Sequence, residues 1–469
     1  MIIKNTIIII VLIILASLTW SLINKPFKIR LSIKKINNYK EANIVTPEDD
    51  YYHHPYSEIG ERYLTYLPHS GLHNQRIALI NALLLAKALN RTLLMPELNI
   101  GKGAFWSPFH VLSRQIDLCP SIVKQGRQDL IVSTKCYGYR KYKPVPMESI
   151  FDLTTAYQLG IRVESREDMS RDFIKHHARL HHISPIKYSL NDSVRYSYQI
   201  HDHHLDQWQP QPGDGDTYKY DSHIDLASLR NRPEPYLEFG SLFGTTRLIL
   251  REPELMWIRE YLHRTTAINH PVVNEQSQRI QEELNYDYVS VHLRQGDGVF
   301  LEMTEETIGE IEIALSEQLA TVSHSSTRKE EDSQRKMTEE DRLSRAQLVT
   351  QSLLTQSNMT TRERLGECLS VRDLQIPRLQ IIYLATDALE PKRQFSELFE
   401  HYPCIFTLND FYNAKTKNKE SIESFLLPMI DAEVASRAKL FIGTPKSTYS
   451  AYVRYRNQHH RHLEFFTPQ

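Results

Sequence analysis

The hydrophobic pattern along this chain is that of an α/β protein. The stretch Arg62-Tyr63-Leu64-Thr65-Tyr66-Leu67-Pro68 reads as a short strand, and His69-Ser70-Gly71-Leu72-His73-Asn74-Gln75-Arg76 as a polar turn. Residues 77–89 are strong helix formers and apolar on nearly every side, which predicts a buried helix. Asn90-Arg91 ends it, and Thr92-Leu93-Leu94-Met95-Pro96 is the next strand. Together they form a β-turn-α-β unit. The free N–H groups at the start of its helix face the turn, where an anion or a sugar hydroxyl can sit.

A second alternation begins near residue 273. A helix over 273–284 leads into a strand over 286–293, whose core Val289-Ser290-Val291 is β-branched and apolar. The pattern resumes as a strand over 379–387, a helix over 388–401, a strand over 404–407, a helix over 422–437 and a strand over 438–443. A turn then leads into a helix over 449–456. Strands alternating with helices predict a parallel sheet.

Between these halves, residues 100–240 are less regular and rich in Tyr, His, Pro and Arg. Residues 303–370 are rich in Glu, Ser, Thr, Arg and Gln and read as helical flanks around a mobile charged insertion. Residues 25–57 lack periodicity and read as a stem. Residues 6–23 are almost wholly apolar and long enough to cross a bilayer core of about 30 Å. The expected organisation is an uncleaved signal-anchor helix over 1–24, a stem over 25–57, and Rossmann-like domains over 58–267 and 272–469, the second carrying the insertion 303–370. A cleaved signal peptide is the competing reading of the apolar run. Lys4 precedes that run and Lys25, Lys28 and Arg30 follow it, a count that by itself favours a cytoplasmic catalytic part.

Bulk composition narrows the partners. A net charge of −1 with 24% charged residues gives no basic excess, so no nucleic-acid partner is expected. Cys119, Cys136, Cys368 and Cys404 form no C-x-x-C pair, which argues against a zinc-cysteine site. In an oxidising compartment they can form two disulfides, with three connectivities open. Sequons stand at Asn90, Asn191 and Asn358.

Candidate chemistry gathers at strand ends. His292-Leu293-Arg294, Thr386-Asp387 and Gly443-Thr444-Pro445-Lys446-Ser447-Thr448 each close a predicted strand of the second half. In a parallel sheet the C-terminal ends lie on one edge, so these clusters converge. They offer an Arg for phosphate, a carboxylate for ribose or base, and a hydroxyl-bearing turn at a helix start. His292 lies two residues before Arg294 and shares its side of the strand. G-x-x-x-x-G-K-[ST] and G-x-G-x-x-G are both absent, which weighs against a P-loop and against a dinucleotide oxidoreductase. Asp214-Gly215-Asp216 has the form of a metal-binding D-x-D but lies in a Pro/Gly/Gln loop without a preceding strand, and reads as chance. His176, His177, His181 and His182 include i,i+4 pairs and read as a solvated face; no metal site is expected.

Four motifs in order resemble those of the GDP-fucose protein O-fucosyltransferase family. They are Ser70 through Arg76 continuing to Pro96, Val291-His292-Leu293-Arg294-Gln295-Gly296-Asp297, Tyr383-Leu384-Ala385-Thr386-Asp387, and Phe441-Ile442-Gly443-Thr444-Pro445-Lys446-Ser447-Thr448-Tyr449-Ser450. The resemblance implies a GT-B fold, two Rossmann-like domains facing a cleft, with GDP-fucose as donor. It implies an inverting, metal-independent transfer to a hydroxyl of a protein or glycan, with no further cofactor. It also implies a single-pass type II protein of the Golgi or endoplasmic reticulum membrane, with a lumenal catalytic part. By motif, Arg294 resembles the Arg that grips the β-phosphate and glycosidic oxygen, and His292 the donor-contacting His. Asp387 resembles the guanosine-contacting acid. Asp431 resembles an acid that reaches the nucleotide, and Ser447, Thr448 and Tyr449 resemble the phosphate- and base-binding turn. Asn74 resembles an Asn near the fucose, a place some relatives give to the position of His73. The carboxylate base that some relatives carry upstream has no counterpart here, which leaves His69, His73, phosphate or water as proton acceptor. The same motifs suit a same-fold transferase acting on a polysaccharide or N-glycan, and a non-catalytic glycan- or nucleotide-binding relative.

Overall fold

The computed structural model describes residues 60–101, 105–166, 168–203, 219–296, 299–326, 338–356, 358–412 and 424–464. The proposed anchor, the stem and Asp214-Gly215-Asp216 lie outside them. Among the described residues no helix is long and apolar enough to cross a membrane. These residues belong to one compact unit, built on two larger parallel sheets.

The first sheet comes from the first half of the chain. Its strands are β1 Tyr63–Tyr66, β2 Thr92–Met95, β3 Val163–Ser165, β4 Lys187–Leu190 and β5 Tyr236–Phe239. They stand in the order β3-β2-β1-β5-β4, all parallel. Side chains alternate between its faces. Leu64, Tyr66, Leu93, Met95, Leu237 and Phe239 point into the main core with helix α1, Leu72–Leu89. Tyr63, Leu94 and Tyr236 point the other way and meet Phe173, Ile174 and Ala178 of helix α2, Phe173–Leu180. The inner strands β1, β2 and β5 are buried along their whole length, whereas the edge strands Val163–Ser165 and Lys187–Leu190 carry polar residues and are only partly buried.

The second sheet comes from the second half: β6 Val289–Leu293, β7 Ile382–Thr386, β8 Ile405–Thr407 and β9 Leu440–Gly443. The order is β8-β7-β6-β9, again all parallel. Val289, Val291 and Leu293 pack with Ile311, Leu315 and Leu319 of the helix Thr304–Ser326. The opposite face, with Tyr383, Ala385 and Phe406, joins the main core.

Three helices knit that core together: α3 Pro253–Thr265, α4 Leu427–Ser436 and α5 Thr448–Glu464. Helix α5 leaves the second sheet and returns to the first half of the chain. There Tyr455 stacks on His263 at 4.7 Å, and the Tyr452 hydroxyl accepts a 3.0 Å bond from Ile268 N.

The alternation expected beyond residue 273 is present, but several bounds differ. The first helix begins at Leu72, five residues earlier than the pattern suggested, so His73 and Asn74 sit on its first turn rather than in a loop. The cause is tertiary. Gln75 Nε2 donates to Ser70 O at 3.0 Å and Asn99 O at 2.9 Å, while Asn99 N donates back to Gln75 Oε1 at 2.9 Å. These bonds pin the turn in helical form although Gly71 supplies no side-chain cap. Residues 388–401 form two short helices, Pro391–Gln394 and Ser396–His401, rather than one. The stretch 100–240, read as irregular, contributes three strands of the first sheet. It also supplies most of a small parallel sheet of Tyr198–His201, Ser222–Asp225 and Leu248–Ile249. Those strands are two to four residues long, too short for period-two alternation to register.

The charged insertion holds the helices Glu339–Thr355 and Thr361–Ser370; residues 327–337 lie outside the described residues. The four cysteines resolve into Cys119–Cys136 and Cys368–Cys404. Their sequence separations of 17 and 36 correspond, on the chain-entropy account, to about 3–4 kcal/mol each.

Candidate functional site

The site forms where the end of β6, the turn after β9 and the first turn of α1 meet. Thr444 fixes the first two. Its hydroxyl donates to His292 O at 2.7 Å, its N–H donates to the same carbonyl at 3.1 Å, and Arg294 N donates to Thr444 Oγ1 at 3.0 Å. The backbone at Arg294 is thereby held against the neighbouring strand. Gly443 lets the start of α5 pack close against the end of β9, since a Cβ there would lie 2.8 Å from Ser450 Cβ.

Asp387, expected to meet the nucleotide, caps the loop after β6. Its carboxylate accepts the N–H groups of Gln295 at 2.8 Å and Gly296 at 3.1 Å. A side chain at Gly296 would place Cβ 2.5 Å from that carboxylate, so a larger residue there would have to displace Asp387 from its bonds to the loop. The Arg294 guanidinium lies over Phe300, 4.9 Å from the ring centroid, an arrangement in which the ring face attracts the cation.

His292 lies on the core face of the strand. Its Nδ1 is 2.7 Å from Ser450 Oγ, and its ring stacks on Tyr449 at 4.3 Å. Burial, with Arg294 nearby, pushes its pKa down to about 3. Tyr449 in turn donates to Asp431 Oδ2 at 3.0 Å, and Tyr383 donates to Asp431 Oδ1 at 2.7 Å. Both oxygens of Asp431 are thus engaged beneath the site, and burial lifts its pKa to about 7.

The opposing wall is α1. Asn74 Oδ1 accepts a 2.7 Å bond from Thr448 Oγ1, so the N-termini of α1 and α5 meet. His73 lies between aromatic rings, stacked on Tyr452 at 4.7 Å and edge-on to Tyr449 at 5.3 Å. Burial lowers its pKa to about 3, and Arg76, His292 and Arg294 act in the same direction. Its Nδ1 is buried and meets no hydrogen-bonding partner among the described residues. His69, the other proton acceptor considered, is spent on structure. Its Nδ1 lies 2.8 Å from Ser70 Oγ and its Nε2 lies 2.6 Å from Ser241 Oγ.

The structure therefore gathers Asn74, His73, His292, Arg294, Ser447, Thr448 and Tyr449 at one junction. Asp387, which remains exposed, and the buried Asp431 also make the supporting contacts described above. Two supporting residues escaped the sequence reading. Arg76 donates to Thr266 O at 2.6 Å and to His263 O, with its guanidinium 4.8 Å from the Tyr452 ring centroid. Tyr452 donates to Glu433. An arginine at the start of so apolar a helix was the one available signal, because a buried guanidinium has to find acceptors.

The junction suits an anion. Two helix N-termini contribute partial positive charge and free N–H groups, and Arg294 adds a full charge. Among known families, the profile described as GDP-fucose protein O-fucosyltransferase matches residues 137–461. That span includes Arg294, Asp387, Asp431 and Ser447–Tyr449, and begins after α1. Among solved structures, POFUT1 in complex with GDP-fucose is similar at 12% identity and a TM-score of 0.37, over 86% of this chain and 95% of that one. The fucosyltransferase NodZ from Bradyrhizobium is similar at 13% identity and a TM-score of 0.32, over 84% and 93%. These alignments are too loose to transfer any residue's position. No curated protein matches the chain.

Proposed function

Because the chain belongs to the GDP-fucose protein O-fucosyltransferase family and is a GDP-fucose-dependent fucosyltransferase, we propose that the junction of α1, α5 and the end of β6 is its donor site. The observation that carries this reading is the bond from Thr448 to Asn74, which sets two helix N-termini beside Arg294. In this reading the arrangement is of the GT-B kind, with the two large sheets as its two halves. Ser447, Thr448 and the N–H groups at the start of α5 hold the diphosphate, and Arg294 spans the β-phosphate and the glycosidic oxygen. His292 and Tyr449 form an aromatic wall against the donor, and Asn74 and His73 face the sugar. Asp387 and Asp431 are positioning residues: one holds the loop after Arg294, the other holds Tyr449.

The reaction is a single displacement. The acceptor oxygen forms a bond to the anomeric carbon as the bond to phosphate breaks, and GDP leaves with the electron pair. Negative charge grows on the leaving diphosphate, where Arg294 and the helix start stabilise it. One such preorganised donor is typically worth about 3–4 kcal/mol. No metal takes part. His73, held neutral, offers Nδ1 to orient the acceptor hydroxyl, and the proton passes to the departing phosphate or to water. The acceptor is a protein or glycan hydroxyl approaching over the surface of residues 100–240. Two disulfides suit an oxidising lumen, so the enzyme works on the lumenal side of the Golgi or endoplasmic reticulum membrane, held by residues 1–24. The test is a thermal-shift titration. GDP and GDP-fucose raise Tm and UDP forms do not; equal stabilisation by both nucleotides overturns the donor assignment.

A further inference from the structure

We propose that Glu164, His177 and His181 form a binding site for one divalent cation of the zinc class, on the face of the first sheet turned away from the donor site. The sequence pattern suggested a solvated histidine face. The structure instead buries His177 and aims it at the sheet edge. His177 Nε2 lies 2.9 Å from Glu164 Oε1, and His181 Nε2 lies 3.7 Å from the same oxygen. One ligand atom from each of the three lies within 4.8 Å of the others. Around a tetrahedral zinc ion with bonds near 2.0–2.1 Å, neighbouring ligand atoms stand about 3.3 Å apart. The two distances to Glu164, 2.9 and 3.7 Å, bracket that spacing, and side-chain rotation within the 4.8 Å cluster can bring the two imidazoles to it.

The fold builds this cluster for reasons that the periodicities explain. His177 and His181 are one helical turn apart on α2 and its C-terminal cap, and their rings stack at 4.2 Å. Glu164 is the middle residue of the edge strand β3 and shares the face of Tyr63, Leu94 and Tyr236. His177 Nδ1 lies 2.9 Å from the Tyr236 hydroxyl, the kind of partner that fixes the tautomer and ring angle of a metal-bound histidine. The His177 side chain is 4% exposed, while Glu164 at 38% and His181 at 42% remain open to solvent. An ion can therefore enter, and water can complete its coordination. Two imidazoles and a carboxylate are borderline ligands that suit zinc better than calcium or magnesium. Bound there, the ion would tie α2 to the strand edge.

The site is tested on the whole protein after chelator treatment, by titration with Co²⁺ and Zn²⁺. The expected result is one equivalent of bound Co²⁺ with the intense visible absorption of tetrahedral coordination, displaced by Zn²⁺, and a rise in Tm with Zn²⁺. Glu164→Gln and His181→Ala change solvent-exposed groups and should keep the fold. Each is expected to weaken binding at least tenfold, whereas His223→Ala, in another histidine pair, leaves binding unchanged. Absence of the absorption band in the native protein overturns the proposal. So does binding that persists in both site variants, or that is lost with His223→Ala.

Discussion

Asn74 and Thr448 stand 374 positions apart and share a 2.7 Å hydrogen bond. One opens helix α1 of the first half, the other opens helix α5 of the second. Their contact holds the two helix N-termini together next to Arg294. Without it the positive ends of the helices could separate, and the field they jointly present to a diphosphate would weaken.

That bond predicts a coupled pair. Asn74→Ala and Thr448→Val should each raise KM for GDP-fucose and lower kcat, and the double variant should do little more than either alone. A coupling energy of about 0.5–1.5 kcal/mol is expected from a double-mutant cycle on kcat/KM. Strict additivity would show that the two residues act separately.

Arg294→Ala should reduce kcat by about 10²–10³ with the fold intact by circular dichroism. Arg294→Lys should restore little, because an ammonium cannot span two oxygens as a planar fork does. Full activity in the lysine variant would remove the bidentate role.

Asp431 is expected to matter through Tyr449 and Tyr383. Asp431→Ala leaves two buried hydroxyls without their acceptor, at a cost of about 1–3 kcal/mol each at most. Chemical denaturation should show the stability loss. Tyr449→Phe should lose less stability, because Tyr383 still reaches the carboxylate. Equal losses would break the argument.

Acid should destabilise the protein. His69, His73, His263 and His292 are held neutral, each lowered from 6.5 to about 3 chiefly by burial. The unfolded chain takes up these protons below about 6.5, so the stability gained by keeping the rings neutral is complete above 6.5. It drains away as pH falls toward 3. Asp431 and Asp192, raised from 3.8 to about 7 and about 6, chiefly by burial, act in the opposite sense. Their contribution is present below 3.8 and is lost as pH rises through 6 to 7. His460 and His223 are lowered as well and Glu97 is raised; the lowered histidines outnumber the raised carboxyls, so Tm should fall between pH 7 and pH 5. A flat or rising Tm over that interval would show that the histidines are not held as described.

Much of the second sheet was legible in the chain. A parallel strand buried on both faces has to be largely apolar, and its end turns polar where it leaves the core. The switch from Val291 to His292 and Arg294 therefore marked both the strand and its end. The glycines at 296 and 443 were visible too, although their reasons were not: one makes room for the Asp387 carboxylate and the other for Ser450. The short strands of residues 163–249 escaped because two to four residues carry too little periodicity to stand out from loop.

What the sequence determined by itself was the alternation of strands and helices, the convergence of the polar strand ends, and the residue types able to hold a nucleotide sugar. These follow from local side-chain chemistry and from periods of 2 and 3.6. Only the tertiary structure decided how each side chain is used. Asp387 and Asp431 look equivalent to other acids in the chain, but backbone N–H groups and tyrosine hydroxyls from distant segments claim their oxygens. His69 and His73 are four residues apart, and only the packing of Ser241 against one and Tyr452 against the other separates a structural histidine from one with a nitrogen still open. Partners so far apart along the chain leave no trace in a local pattern, so the division of labour among these residues appears only once the chain has folded.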